Sequence, residues 1–347
     1  MVKVFAQSDL FGISIPVEYG GMGGGVIETV IAVEELSKVC GGISLALAAK
    51  GLGTYPILLS SSDEQKKKYL PRIAKGEALA AFCLTEASAG SDAGGVRTTA
   101  VKDGNTYVLN GTKQWITNGG EADIYTVIAI TDKSKGPRGA SAFIVEKGTP
   151  GLSFGKKENK MGIRASATRE VIFQDCRIPQ ENLIAREGMG FMVAMRTLDK
   201  SRPGVAAQAL GIAAGATDEA VRYSRERRQF GKPICSFQGV QFMLADMATQ
   251  VEAARTLVYQ AARYIDSGAK DISKISAMCK LFAADVAMRV TTDAVQVFGG
   301  YVYMKEYPVE KMMRDAKITQ IYEGTNQIQR EVIALNLIKE AAAAKAD

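Results

Sequence analysis

A chain of 347 residues, 47% hydrophobic and 23% charged, has the composition of a globular protein and room for two or three domains, which excludes disordered and fibrous classes. Lys and Arg exceed Asp and Glu by 43 to 37, and the resulting +6 is spread along the chain, so it makes no case for nucleic acid. Histidine is absent, which excludes Ser-His-Asp triads, histidine general bases and His-Glu-x-x-His zinc sites.

Cys40, Cys83, Cys176, Cys235 and Cys279 stand far apart without a C-x-x-C pair. Neither a metal site nor a disulfide framework is expected, and a reduced compartment fits. No apolar run of about 18 residues is read, so no membrane span is expected. Met1–Leu10 lacks the basic and apolar regions of a secretory signal.

In chain order, Gly20–Gly25 reads as a flexible turn. Val26, Ile27, Val30, Ile31, Val33, Leu36 and Val39 then follow a helical stripe that stops at Gly41-Gly42. A small-residue segment spans Ile43–Leu59, and Asp63–Lys68 opens a further helix ending near Gly76, its acids first and lysines later as the helix dipole prefers. From about Leu79 the period becomes two. Val96–Val101, Thr106–Leu109, Lys113–Thr117, Ile124–Ile130, Ala140–Glu146, Leu152–Phe154 and Thr168–Phe173 read as strands. Asp103-Gly104, Asn110-Gly111 and Asn118-Gly119-Gly120 between them are hairpin signals. An antiparallel sheet or barrel is expected. Beyond Glu187 the pattern is helical, with Pro203 expected to restart or kink the chain. Val205–Gly215 has residues small enough for close helix approach, and Phe237–Asp266, Ile272–Val297 and Asn326–Ala344 read as bundle helices. The fold class is therefore α+β, with domains at 1–78 (helical), 79–187 (β) and 188–347 (helical).

The glycine-rich Gly20–Gly25 does not fit G-x-G-x-x-G, and no P-loop pattern occurs, so Rossmann and P-loop readings are rejected. Three other segments carry chemistry. Phe82–Asp92 with Lys113–Gly119 offers backbone amides, hydroxyls and the one tryptophan. It reads either as a polar loop with Trp115 as a core anchor, or as a platform for a flat aromatic ring with Thr85 and Thr117 on its heteroatoms. Arg225–Pro233 is either a solvated cationic helix end or an arginine clamp on a pyrophosphate. Tyr322–Gln327 places Glu323 just before a helix, either as a dipole-stabilised carboxylate or as a general base with Gly324 leaving room for a ligand.

Taken together these segments resemble the acyl-CoA dehydrogenase family. The resemblance runs from Leu10 to the C-terminus through Pro16–Gly21, Leu84–Asp92, Trp115-Ile116-Thr117, Arg227–Pro233, Gln296–Gly300 and Tyr322–Gln327. It implies an N-terminal helical domain, a central β-barrel, a C-terminal four-helix bundle and bound FAD. By position, Phe82, Leu84, Thr85, Trp115, Ile116 and Thr117 would line the flavin, with Thr117 near N5. Arg227, Phe230, Gln238, Gln296, Gly299 and Gly300 would reach the FAD of a neighbouring subunit, which implies a homotetramer built from dimers, and Thr325 with Gln327 would complete the cofactor site. Ser91, Asp199, Arg202 and Gly324 match acyl-CoA contacts, and Glu323 falls on the catalytic base.

The implied reaction is α,β-dehydrogenation. Glu323 takes the α-proton and flavin N5 takes the β-hydride, giving a trans-2-enoyl-CoA and passing electrons to an electron-transfer flavoprotein. The Glu323 backbone N–H and a flavin ribityl hydroxyl would stabilise the developing enolate. Ala87 replaces a usual proline and Phe82 a frequent tyrosine. Measured from Pro16–Gly21, the resemblance implies a start about 35–40 residues later than in typical members, and the first one or two helices of the N-terminal domain are expected to be missing from this sequence. Leu198–Pro203 resembles medium-chain members, and Ile43 stands where glutaryl-CoA members carry an arginine, so an uncharged short-to-medium acyl chain, straight, branched or alicyclic, is expected. The alternatives are an acyl-CoA oxidase, the same site run as an enoyl-CoA reductase, and a non-catalytic FAD-retaining assembly protein. The resemblance implies a bacterial cytoplasmic location, with the mitochondrial matrix as the alternative.

Overall fold

The computed structural model describes residues 2–344, and the chain divides into two compact units. The first comprises residues up to Gly25, Ala46–Asn159 and Ala165–Ser201; the second comprises Val26–Leu45, Lys160–Arg164 and Arg202 onward.

The helices of the first unit are α1 (Val2–Gln7), most of α3 (Gly41–Ser60) and α4 (Asp63–Ala74). A capping box starts α4: Ser62 Oγ accepts from the Gln65 N–H at 3.2 Å, and Gln65 Oε1 accepts from the Ser62 N–H at 3.1 Å. By length and composition α3 could cross a membrane, contrary to the expectation that no such run exists, although 67% of its apolar window is buried in protein.

Eight strands form one sheet. They are β1 (Ala80–Cys83), β2 (Thr99–Asp103), β3 (Thr106–Thr117), β4 (Ile124–Ile130), β5 (Ala140–Glu146), β6 (Leu152–Phe154), β7 (Thr168–Pro179) and β8 (Leu183–Ile184). The order is β6-β7-β3-β2-β4-β5-β8, with β1 also on β4. Strand β4 is buried along its whole length, and its alternation feeds two cores. Ile124 and Ile128 join Ile73, Phe82, Leu84 and Val193 on one side, while Tyr125 and Val127 join Tyr107, Ile116, Phe143 and Phe173 on the other. Both β1 and β2 run parallel to β4, and among the described residues no pairing joins β6 to β8. The sheet is therefore mixed, and the antiparallel barrel is realised only as far as a β domain. Apolar alternation sets which face is buried, not strand direction or closure. Asn110-Gly111 is no hairpin turn either: β3 runs through it, and the pairing to β7 shifts register between Leu109 and Gly111.

In the second unit are α2 (Val26–Val39), α5 (Gly190–Glu226) from Arg202 onward, α6 (Gln238–Asp266), α7 (Ser273–Phe298), α8 (Pro308–Lys317) and α9 (Asn326–Ala343). The small residues of α5 do allow close approach: a Cβ on Gly211 would lie 2.2 Å from the Glu34 carbonyl oxygen of α2. Glu34, 1% exposed, accepts from Arg255 Nε and the Tyr259 hydroxyl, both at 2.8 Å. The Asp266 carboxylate accepts from the N–H groups of Val26 and Ile27, tying the start of α2 to the end of α6. Pro203 neither restarts nor breaks the chain, since α5 continues through it and its missing N–H costs one ladder bond in a 37-residue helix.

Candidate active site

Within the first unit, β3 carries the main irregularity. Its pairing to β7 shifts register between Lys113 and Ile116, and Trp115 in that bulge has φ +56°. A bulky residue in the left-handed region costs about 1–2 kcal/mol, so the sheet holds Trp115 there against its preference. The indole is 58% exposed, which rules out the core-anchor reading. Beside it, the Gln114 N–H donates to the Thr85 carbonyl at 2.8 Å, bringing the Thr85 segment next to Trp115. Thr85 and Thr117 are half-buried, and no hydrogen bond to another described residue occupies either hydroxyl. An exposed aromatic face flanked by two available hydroxyls fits a flat heteroaromatic cofactor such as FAD. Phe82, Leu84 and Ile116 are buried in the two cores, so they brace this surface from below. Ser91 is exposed and Asp199 half-buried.

The Thr85 segment is pinned from below. Lys113 is fully buried; its ammonium donates to Glu86 Oε1 at 2.7 Å and to the Leu84 carbonyl at 3.0 Å. Glu86 in turn accepts from the N–H groups of Arg97 and Thr98 at 2.7 and 2.9 Å. Burial opposes ionisation of Glu86, but the Lys113 ammonium and the Thr98 N–H outweigh it and hold the carboxyl below its usual range. Burial likewise lowers the pKa of Lys113, against the pull of Glu86.

In the second unit, α5 leads into a hairpin of β9 (Arg228–Gln229) and β10 (Lys232–Pro233). Phe230 and Gly231 at its tip both have positive φ, +51° and +79°. That is a turn usually given to Asn-Gly, and it leaves the Phe230 ring 91% exposed. The Arg227 guanidinium lies 4.7 Å over the Tyr301 ring, which joins this hairpin to Gly299–Gly300 at the end of α7. The ring of Phe237, just before Gln238, meets Phe230 edge-on at 5.9 Å. Arg227, Phe230, Gln238, Gly299 and Gly300 thus share one face of this unit, with Gln296 exposed on the last turn of α7.

The Tyr322–Gln327 segment enters α9 through two left-handed residues, Glu323 at φ +53° and Gly324 at +89°. Thr325 caps the helix, its hydroxyl accepting from the Ile328 N–H at 3.2 Å, and Gln327 is exposed. The Glu323 carbonyl accepts from Gln329 Nε2 at 3.2 Å and, at a long 3.5 Å, from Arg202 Nε. The Gly324 carbonyl accepts from Gln329 Nε2 at 2.9 Å and from Lys280 Nζ at 2.8 Å. The Tyr322 hydroxyl donates to Gln208 Oε1, and Gln208 Nε2 donates to the Gly41 carbonyl at 2.7 Å. Burial pushes the Tyr322 phenol well above its ordinary range, so it serves as a neutral tether.

Sequence reasoning did not single out Glu86, Lys113, Gln208, Lys280, Tyr301 or Gln329. The one signal for Lys280 was a lone charge inside an apolar run, a pattern that a solvated face also produces, and Lys113, between Thr112 and Gln114, gave none.

Family comparison decides the class. The acyl-CoA dehydrogenase N-terminal domain matches residues 1–77, the middle domain 81–176 and the C-terminal domain 188–338. The chain belongs to the acyl-CoA dehydrogenase family. Similar proteins include the acryloyl-CoA reductase (NADH) of Anaerotignum propionicum, 53% identical across 97% of this chain and 86% of that protein. The structure of butyryl-CoA dehydrogenase from Megasphaera elsdenii matches with a TM-score of 0.95 and 52% identity, covering 97% of this chain and 89% of that one. A structure described as the electron transferring flavoprotein of Acidaminococcus fermentans also matches at 0.95, with 56% identity over 97% and 88% of the two chains. Acyl-CoA dehydrogenase complexed with FAD from Bacillus anthracis matches at 0.93 and 36% identity, over 99% of this chain and 62% of that one.

Proposed function

We propose that this chain is a FAD-dependent acyl-CoA dehydrogenase that converts an uncharged short-to-medium acyl-CoA to its trans-2-enoyl-CoA and delivers electrons to an electron-transfer flavoprotein. The observation that carries the reading is the Glu323-Gly324 pair, a carboxylate on a left-handed turn whose two carbonyls are both tied down. A flexible carboxylate would spend most of its time away from a substrate carbon; this one is presented by a fixed backbone.

When bound, FAD supplies the acceptor for the β-hydrogen as hydride. The remaining work falls to the chain. Glu323 removes the α-proton and holds it. Its own N–H donates to the thioester oxygen, where charge develops as the α-proton leaves. Gln329 and Arg202 fix the Glu323 carbonyl, in the peptide on the other side of the Glu323 Cα, and so hold the residue from its C-terminal side. Gly324 keeps a side chain out of the substrate's way, and Ser91, Asp199 and Arg202 hold the acyl-CoA. Trp115, Thr85 and Thr117, with Phe82, Leu84 and Ile116, would hold the isoalloxazine, and Thr325 and Gln327 are assigned to the cofactor as well. Arg227, Phe230, Gln238, Gln296, Gly299 and Gly300 serve the cofactor of a neighbouring copy in a homotetramer. Exposed Phe242, Leu335 and Ile338, at 61%, 57% and 66%, support burial of this unit against further copies. The reading includes the domain limits 1–78, 79–187 and 188–347, a barrel-like middle domain, a four-helix C-terminal bundle and a cytoplasmic setting.

The test is Glu323→Gln. The variant is expected to stay yellow and FAD-loaded while dehydrogenation falls by more than a thousandfold; near-normal turnover would remove Glu323 from its role. The similarity to an acryloyl-CoA reductase (NADH) favours a second direction for the same site. Assays of butyryl-CoA oxidation and of acryloyl-CoA reduction, each with the electron-transfer flavoprotein, separate the two.

A further inference from the structure

Lys280 is a buried ionisable group beside the Glu323 turn that the proposed chemistry leaves unused. It sits on α7 with no exposed surface, in the apolar run Ala277-Met278-Cys279-Lys280-Leu281. Its amine donates to the Gly324 carbonyl at 2.8 Å and to Asn326 Oδ1 at 2.9 Å, so it spans the turn that leads from Glu323 into α9. Asn326 is held from its other side, where its Nδ2 donates to Asp285 Oδ1 at 2.7 Å; Asp285 also accepts from Gln320 and Arg330.

The Gly324 carbonyl receives two donors, Lys280 Nζ and Gln329 Nε2, so both of its lone pairs are engaged. That matters because glycine is the residue whose flanking peptides rotate most cheaply. A compensating rotation at Gly324 would let Glu323 leave its left-handed φ of +53° and swing the carboxylate away. A carbonyl held on both sides blocks the rotation. The lysine is retained at a cost: burial drives its amine down to about 7, although Glu323 and Asp285 favour the charged form, while Arg202 disfavours it. A methionine would fill the same space without that cost, so packing alone does not account for an amine here.

We propose that Lys280 is a positioning residue for the Glu323 carboxylate, clamping the Gly324 carbonyl so that the turn presents the base. This rests on the reading of Glu323 as the base, and the test separates the two.

Lys280→Met and Lys280→Gln are compared with wild type and Glu323→Gln, all as FAD-loaded protein. The probe is methylthioacetyl-CoA, whose sulfur replaces the β-carbon so that no hydride can leave. Its affinity is measured by calorimetry, and exchange of its α-protons in D2O is followed by NMR. Butyryl-CoA oxidation gives kcat and KM. The Lys280 variants are expected to bind the probe within threefold of wild type, with α-proton exchange and kcat both reduced at least tenfold and KM changed less than threefold. Exchange and kcat within twofold of wild type overturn the proposal, as does a loss confined to binding. If neither variant folds, Lys280 belongs to the fold and not to the site, which also overturns it. Exchange at the wild-type rate in Glu323→Gln overturns the base assignment itself; its abolition there, with normal Lys280 variants, sinks only the positioning role.

Discussion

Lys113 donates to Glu86 at 2.7 Å in a pair that is 0% and 6% exposed, directly beneath the loop that carries Thr85. Removing one partner leaves the other as an uncompensated buried charge, so Glu86→Gln or Lys113→Met is expected to destabilise by ~3–5 kcal/mol. Because Glu86 also holds the N–H groups of Arg97 and Thr98, the loop loosens and FAD dissociates. The carboxyl's folded pKa is depressed, so its contribution is fully present above the ordinary carboxyl value of 4.5 and is lost as pH falls from there through the lower folded value. Urea melts at several pH values, with flavin fluorescence as a second probe, measure both effects.

Lys50 is a buried cation with a different balance. It is 2% exposed, donates to the Phe11 carbonyl, and burial lowers its pKa from 10.5 to about 7. Below that lower value both states are charged and the folded state bears the full penalty. Between 7 and 10.5 the unfolded chain binds a proton that the folded chain does not, so stability rises with pH, by ~1.4 kcal/mol per unit. Lys50→Met is expected to be more stable at neutral pH by about 2 kcal/mol and to lack that slope. Chemical denaturation of both proteins from pH 6 to 10 checks the difference.

At Trp115 strain and function oppose each other. Glycine adopts φ +56° freely, so Trp115→Gly is expected to raise the melting temperature of the apoprotein while weakening FAD binding at least tenfold. Trp115→Phe keeps a ring and loses less. Calorimetry of apoprotein and flavin titration separate these outcomes; tight FAD binding by Trp115→Gly would place the cofactor elsewhere.

Gly324→Ala tests the turn. A Cβ there would lie 2.6 Å from Gln329 Nε2, at a backbone φ of +89° that alanine resists. The expected result is an FAD-loaded enzyme with kcat reduced more than a hundredfold, read in steady-state assays with butyryl-CoA.

The helices and the site's residue types were legible because they rest on periodicity and on rare residues: one tryptophan, one carboxylate before a helix, one Arg-Gln-Phe-Gly run. What escaped was backbone sign and burial. Nothing in the letters Trp115 and Glu323 announces a left-handed φ, since that is imposed by pairing and packing around them. Asn110-Gly111 carries as strong a local turn signal as Asn118-Gly119, yet β3 continues through it because pairing with β7 on both sides outweighs two residues' preference. Nothing in the sequence marks Lys280 or Lys113 as buried, yet both amines face carbonyls inside the protein. Pro203 shows the same override, a local breaker absorbed by a long helix.

The most direct measurement of the central claim is anaerobic addition of butyryl-CoA to the FAD-loaded protein, watching the flavin's visible absorbance. Wild type is expected to bleach within seconds, and Glu323→Gln to bind the thioester and stay yellow. Bleaching of Glu323→Gln at a rate near that of wild type would contradict the account.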